Sequence, residues 1–149
     1  MRASGVNRGM GYLEEIKARG REANPFFGLM GIDPVSYGDG RAELSMTVRP
    51  EMQNGAGWLQ GGVYTALADE AMALAIITLL QEDERIATIS ETTSFFAGVR
   101  DGTLRARGEV VRKGRRIAFA EAEVSDPEGR VLARTTASFA VMGPRGRAD

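Results

Sequence analysis

Two carboxylates, Asp69 and Glu70, sit in the middle of a long apolar run from Val63 to Leu80. Just upstream lies Asn54-Gly55-Ala56-Gly57-Trp58-Leu59-Gln60-Gly61-Gly62, a loop that delivers two glycines to the start of that run. If the run is a helix, its first turn carries N–H groups with no intrahelical acceptor, at the positive end of the helix dipole. Glycine at that point lets a ligand approach the backbone closely. A carbonyl oxygen could then be polarised by the Gly61 amide while a carboxylate supplies a base or nucleophile. An ordinary loop-to-helix turn would use the same glycines, so the motif alone leaves both readings open.

Asp69 and Glu70 would lie about two turns into the helix and point roughly 100° apart, so they need not share a site. A carboxylate on a buried helix is costly unless it is hydrogen-bonded, paired or placed at a wet cleft. Asp69 is the candidate for chemistry. Glu70 is expected to pair with an arginine or to occupy an exposed edge of the helix. Arg112-Lys113-Gly114-Arg115-Arg116 puts four cations into five residues at a hairpin tip. Such a cluster suits a phosphate clamp, and a solvated hairpin end equally well. Trp58 in a loop suggests the wall of a ligand pocket or a subunit contact. Phe95, Phe96, Phe119 and Met72 are expected to serve the core.

Composition narrows the chemistry further. The 149 residues carry no histidine and no cysteine. Disulfides, cysteine-ligated zinc, a serine–histidine triad and a cysteine nucleophile are therefore excluded. Nineteen basic and twenty acidic residues leave a formal charge of −1, without the field of a nucleic-acid binder. Seventeen of the basic residues are arginines, with only Lys17 and Lys113 as lysines. The run from Val63 to Leu80 is long enough to raise the question of a membrane span, but Asp69 and Glu70 would each cost roughly 2–4 kcal/mol at bilayer depth. The expectation is a soluble, cytoplasmic protein without a signal peptide.

The elements that must position these residues follow from periodicity. Residues 1–8 and 143–149 read as flexible tails around a single domain. Tyr12 to Arg21 reads as a short amphipathic helix ended by Asn24-Pro25, with Phe26 to Met30 as a short helix or a cover over the core. Ile32 to Tyr37 forms a strand, turned by Gly38-Asp39-Gly40 into a second. In that second strand Ala42, Leu44, Met46 and Val48 share one face. Gly62 to Gln81 is the one long helix, apolar nearly all round. Strands over about 86–96, 103–111, 116–125 and 130–142 follow as a four-strand antiparallel meander. Hairpin, buried helix and meander imply an α+β fold in which a curved antiparallel sheet wraps one long central helix.

Asn54, Gln60-Gly61-Gly62 and Leu67-Ala68-Asp69 with alanines following resemble the phenylacetic-acid-degradation branch of the hotdog-fold acyl-CoA thioesterases. The resemblance runs from about Asn24 to Met142 in element order, and its specific part is Asn54 through Ala75. It implies that Asn54 and the Gly61 amide orient a thioester carbonyl and that Asp69 is nucleophile or general base. Thr88 on the next strand would help place the attacking water. Gln60, Gly62 and Trp58, with Lys113, Arg115 and Arg116 for the phosphates, become candidate substrate contacts. One departure stands out: the family commonly has histidine before the glycine pair, and here it is Gln60, which cannot switch charge near neutrality. Hotdog dehydratases rely on histidine, whereas thioester hydrolysis needs only a carboxylate, a carbonyl polariser and water.

The resemblance further implies an acyl-CoA substrate, no metal or other cofactor, and no nucleic-acid or membrane partner. It also implies a homo-oligomer, a dimer or tetramer, in which Asn54 and Gly61 of one chain face Asp69 of another. A non-catalytic acyl-CoA- or lipid-binding protein is the competing reading. A ligand-sensing regulator is disfavoured, because residues 1–23 are too short for a DNA-binding segment.

Overall fold

A computed structural model describes residues 9–143; the expected tails lie outside them, apart from Gly143. Helix α1 spans Gly9–Arg19, and a 3-10 turn over Gly20–Ala23 leads into helix α2, Pro25–Met30. Asn24 separates them by capping the second helix: its Oδ1 accepts from the N–H groups of Phe26 and Phe27, and its Nδ2 donates to the Tyr12 hydroxyl at 2.8 Å. Pro25 takes the first helical position, where no N–H is needed. The cap thereby fixes α2 to α1 and buries Phe27 completely.

Strands β1 (Ile32–Gly38) and β2 (Arg41–Thr47) form the expected hairpin, with Asp39 and Gly40 both in the left-handed region at its turn. Ala42, Leu44 and Met46 of β2 face inward, and Val48 just beyond the strand is buried with them. Helix α3 runs Gly61–Ile77, shorter than the apolar run. Thr78 stops it: its hydroxyl donates to Ala75 O at 2.7 Å and accepts from the Gly40 N–H at 2.8 Å, tying the helix end to the hairpin turn. Among the described residues no helix is long and apolar enough to cross a membrane.

Strands β3 (Arg85–Phe95), β4 (Thr103–Lys113), β5 (Ile117–Ser125) and β6 (Val131–Met142) complete one antiparallel sheet in the order β1-β2-β4-β5-β6-β3. The α+β class and the sheet around one long helix are as expected, but the four-strand meander is not. Only β4, β5 and β6 form a meander; β3 pairs with β6 at the far edge. The chain returns from β3 to β4 across the end of the sheet. Ala97 donates to Leu132 O, Val99 O accepts from Leu59, and Gly102 O accepts from Val48. With β3 on one side and β2 on the other, both flanks of α3 are covered.

The sheet face under the helix is built from small residues. Ala106, Gly108, Ala118, Ala120 and Ala122 are all buried there, opposite Ala68, Ala71 and Ala75 of α3. At Gly108 the fit is closest, since a Cβ would lie 2.5 Å from Ala71 O and 2.8 Å from Met72 N. At Gly108 itself there is no room for any side chain, whereas one strand over Phe139, paired with Ala118, is buried. Phe119, expected in the core, lies on the outer face and is 47% exposed between buried Ala118 and Ala120. Phe95 and Phe96 are likewise 55% and 59% exposed, at the end of the edge strand. Met72 is buried as expected.

Gly108→Ala is expected to push α3 off the sheet, because the clash is with helix backbone rather than a flexible side-chain end. A loss of roughly 3 kcal/mol, or about 10 °C in melting temperature, should be seen by thermal denaturation. A melt unchanged from the parent protein would show that the helix has room to move.

Candidate active site

The placement of α3 against β3 follows from two repeats that nearly match. Gly61, Thr65 and Asp69 are four residues apart, about 6 Å of helix rise per step. Phe95, Thr93 and Glu91 are two apart on a strand, about 6.6 Å per step. The pairs meet in sequence. The Phe95 ring lies in van der Waals range of Gly61 and edge-on to Tyr64, the Thr65 and Thr93 hydroxyls are 2.8 Å apart, and Asp69 lies beside Glu91. Thr93 continues to buried Thr135 of β6 at 2.8 Å.

A β-bulge then changes which side chains face the helix. The β3–β6 register shifts between Thr88 and Ser90, so Ile89 is pushed outward to 56% exposure. The extra residue turns Thr88, rather than its neighbours, toward the helix. Its hydroxyl donates to Asp69 Oδ1 at 2.9 Å. Asp69 and Thr88, singled out from sequence, are thus brought together.

Glu91 was not foreseen. Its Oε2 is shut off from solvent and has no hydrogen-bond partner, and its carboxyl lies within hydrogen-bonding reach of Asp69. Burial first, then the hydrogen bond and charge of Asp69, push Glu91 up to about 7. The available signal was its place on the strand face that also carries Thr93 and Phe95. Glu70 departs from expectation too. It is neither paired with an arginine nor on an exposed edge: among the described residues no ion pair includes it. Burial, then the neighbouring charge of Asp69, push its carboxyl up to about 7. It lies on the side of α3 that faces α1, where burial first and also the charge of Glu70 push the Tyr12 hydroxyl up to about 12, against the hydrogen bond from Asn24.

The helix start forms a second group of residues. Asn54 Oδ1 accepts from the N–H groups of Ala56 at 2.9 Å and Trp58 at 3.2 Å, closing the loop and leaving its Nδ2 pointing away from those contacts. Gln60 is the N-cap residue, with no side-chain cap bond, and its N–H donates to Met52 O. Neither the Gly61 nor the Gly62 N–H has an acceptor among the described residues. Both glycines have ordinary backbone angles, and a Cβ at Gly62 would meet nothing. The chain's own packing does not require glycine there. A cleft of about 620 Å³ lies alongside, walled by Leu29, Met30, Met52 and Val63 with Asn54 and Gln60 at its edge. Trp58 is held by the neighbouring loop, with the Arg100 guanidinium 4.0 Å from its ring centre and Gly98 against its other atoms.

Within one chain these groups stay apart. Gly61 and Asp69 are about 12 Å apart along the helix, too far to act on one carbonyl. The β4–β5 tip lies at the other end of α3, where Lys113 pairs with Glu84 at 3.0 Å. Arg115 is exposed at that tip and Arg116 follows it.

This fold and these residues define a class of protein. The chain belongs to the thioesterase superfamily, whose family model matches residues 56–133. A conserved protein from Pseudomonas aeruginosa is 31% identical and superposes with a TM-score of 0.78, over 84% of this chain and 99% of that one. A variant of phenylacetic acid degradation protein PaaI from Thermus thermophilus is 29% identical, with a TM-score of 0.73 over 78% and 98%. The 1,4-dihydroxy-2-naphthoyl-CoA hydrolase of Listeria monocytogenes is 24% identical over 78% of this chain and 94% of its own.

Glu70 gives a stability prediction. Its folded pKa lies above the usual value, so its stabilising contribution is complete below about pH 4.5 and lost as pH rises through about 7. On the order of 3 kcal/mol should disappear across that window. In Glu70→Gln the fall in unfolding free energy between those pH values should shrink, as read by urea denaturation. A slope identical to the parent's would mean that the Glu70 carboxylate is solvated.

Proposed function

We propose that this protein hydrolyses an acyl-CoA thioester, with a small aromatic or a short- to medium-chain acyl group, to the free acid and coenzyme A. The observation that carries the reading is the state of Asp69. Its carboxylate is oriented by the Thr88 hydroxyl, and no cation neutralises it among the described residues. The thioester oxygen accepts from the Gly61 N–H, assisted by Asn54 Nδ2, and the charge that develops on it meets the positive end of α3. Asp69 either attacks the carbonyl carbon or takes a proton from the attacking water, with Thr88 fixing the geometry. The C–S bond breaks, the thiolate leaves and is protonated, and water's oxygen ends in the acid. The acyl group is assigned to the cleft beside Asn54 and Gln60, next to Gly62 at the helix start, where Leu29, Met30, Met52 and Val63 offer apolar contact on a wall that also carries Arg49 and Glu51. Arg115 and Arg116 are assigned to the nucleotide phosphates, with Lys113 anchoring the hairpin through Glu84.

The base and the polariser must come from different chains, and the two sheet edges support this. Edge strand β1 is blunted by Pro34 and a bulge between Pro34 and Ser36. Edge strand β3 is eleven residues long, has no proline, and exposes Ile89 and Phe95. Such an edge is a template for pairing, and a two-fold pair across it would bring the helix start of one chain toward Asp69 of the other. A non-catalytic acyl-CoA-binding protein is the alternative, and turnover decides between them.

Thiol release from a panel of acyl-CoAs tests the reading. Asp69→Asn should lower kcat by about 100-fold or more with modest change in substrate affinity. Near-normal turnover in the folded variant would remove Asp69 from the chemistry. Mixing Asp69→Ala and Asn54→Ala chains, each weak alone, tests the shared site. Half the dimers are then mixed and each regains one of two sites, so about a quarter of parent activity should return. If mixed dimers form and no activity returns, the site lies within one chain.

A further inference from the structure

We propose that Glu91 is a positioning residue that keeps its proton, donates it in a hydrogen bond to Asp69, and so holds the Asp69 carboxyl aimed at the substrate. The inference rests on the assignment of Asp69 as base or nucleophile. Two carboxyls within hydrogen-bonding reach cannot both be ionised without strong repulsion, so one of them holds a proton. The surroundings decide which. Asp69 already has a donor, the Thr88 hydroxyl, on its Oδ1. Glu91 Oε2 is buried with no donor to satisfy it, which favours the neutral acid. A proton on Glu91 turns a repulsive contact into a charge-assisted hydrogen bond. Asp69 is then held from two sides, by Thr88 and by Glu91, with lone pairs left for water or the thioester.

The other groups near the pair do not compete for this role. From α3 the charged neighbour is Glu70, which points about 100° away toward α1 and Tyr12. From β6 the residue paired with Glu91 is Ala137; Arg134 further along is engaged by Glu123 of β5. Burial and Asp69 push Glu91 up to about 7, so it is neutral below that value and charged above it. As pH rises through that range the donated hydrogen bond is lost, the carboxylates repel, and Asp69 is displaced. Turnover should therefore fall on the alkaline side with the titration of the pair.

The experiment is the pH dependence of kcat from about pH 5 to about pH 9 in the parent, Glu91→Gln and Glu70→Gln proteins. A glutamine amide still donates to Asp69 but does not titrate. Glu91→Gln should keep kcat within a few-fold near pH 6 and lose the alkaline fall, or move it up by more than one pH unit. Glu70→Gln should keep the fall. An unchanged alkaline limb in Glu91→Gln, or its loss in Glu70→Gln alone, would overturn the assignment. If Glu91→Gln does not fold, carboxyl NMR titration of the parent and Asp69→Asn proteins decides the question. Both are measured in the Glu70→Gln background, where Glu91 is the carboxyl left near 7; its titration should drop by about one unit or more when Asp69→Asn is added, and no change there overturns the proposal. Loss of turnover in Asp69→Asn alongside an unchanged Glu91→Gln profile would reject only this inference. Normal turnover in Asp69→Asn would reject the reading beneath it.

Discussion

The backbone of α3 rests directly on Gly108, and much of the remaining geometry depends on that contact. No side chain separates Ala71 O from the strand, so the helix lies as close to the sheet as a helix can. Alanines on both surfaces extend the close layer, while Leu67, Met72, Leu74 and Ile76 fill the space beside it. Close packing of small residues leaves the helix little freedom to slide or rotate. It is this fixed axial position that sets Gly61, Thr65 and Asp69 opposite Phe95, Thr93 and Glu91. A shift of one helical residue, about 1.5 Å, would break the match. Core packing and site geometry are therefore one constraint.

Much of that arrangement was legible in the sequence. The alternation of β2, the Gly-Asp-Gly turn and the apolar run of α3 each follow from local periodicity. The contact between the Thr88 hydroxyl and Asp69 is a finding of the structure, since the resemblance gave Thr88 only a role beside the attacking water. The position of β3 was not legible, because local pattern does not say which neighbour an edge strand will choose. Reading β3 to β6 as a plain meander follows chain order; the loop from Ala97 to Gly102 crosses the end of the sheet instead. Glu91 was hidden by the same bulge that turns Thr88 inward. Strict alternation from Thr88 places Glu91 on the opposite face, whereas the inserted Ile89 puts both on the helix side. The exposed phenylalanines were missed for other reasons: Phe119 alternates with buried Ala118 and Ala120 and so takes the outer face, while Phe95 lies against Gly61 at the open edge of the sheet.

The charges divide between the two sides of the sheet. On the outer side Arg41 meets Glu109, Glu43 meets Arg105 and Arg107, and Arg134 meets Glu123. These are exposed pairs, each worth little for stability. Their larger effect is to place cations among carboxylates that face water. Asp69, Glu70 and Glu91, on the helix side, have no such partner among the described residues. Under the centre of α3 the inner layer is alanine and glycine, and larger apolar residues such as Leu44, Leu104 and Phe139 fill it further out.

That division bears on how a chain without histidine can titrate near neutrality. An unperturbed carboxyl is fully charged there, and lysine and arginine fully protonated. For its side chains, one route is to raise a carboxyl by burial and by a like charge, as happens to Glu70 and Glu91. Gln60 places no titratable side chain at the start of α3. Sensitivity to pH is concentrated where α3 meets the bulge of β3. The same burial that costs stability above neutral pH thus supplies a proton that would otherwise be missing. A substitution that solvates this corner would be expected to stabilise the fold at high pH and to weaken the hold on Asp69, so stability and function pull in opposite directions there.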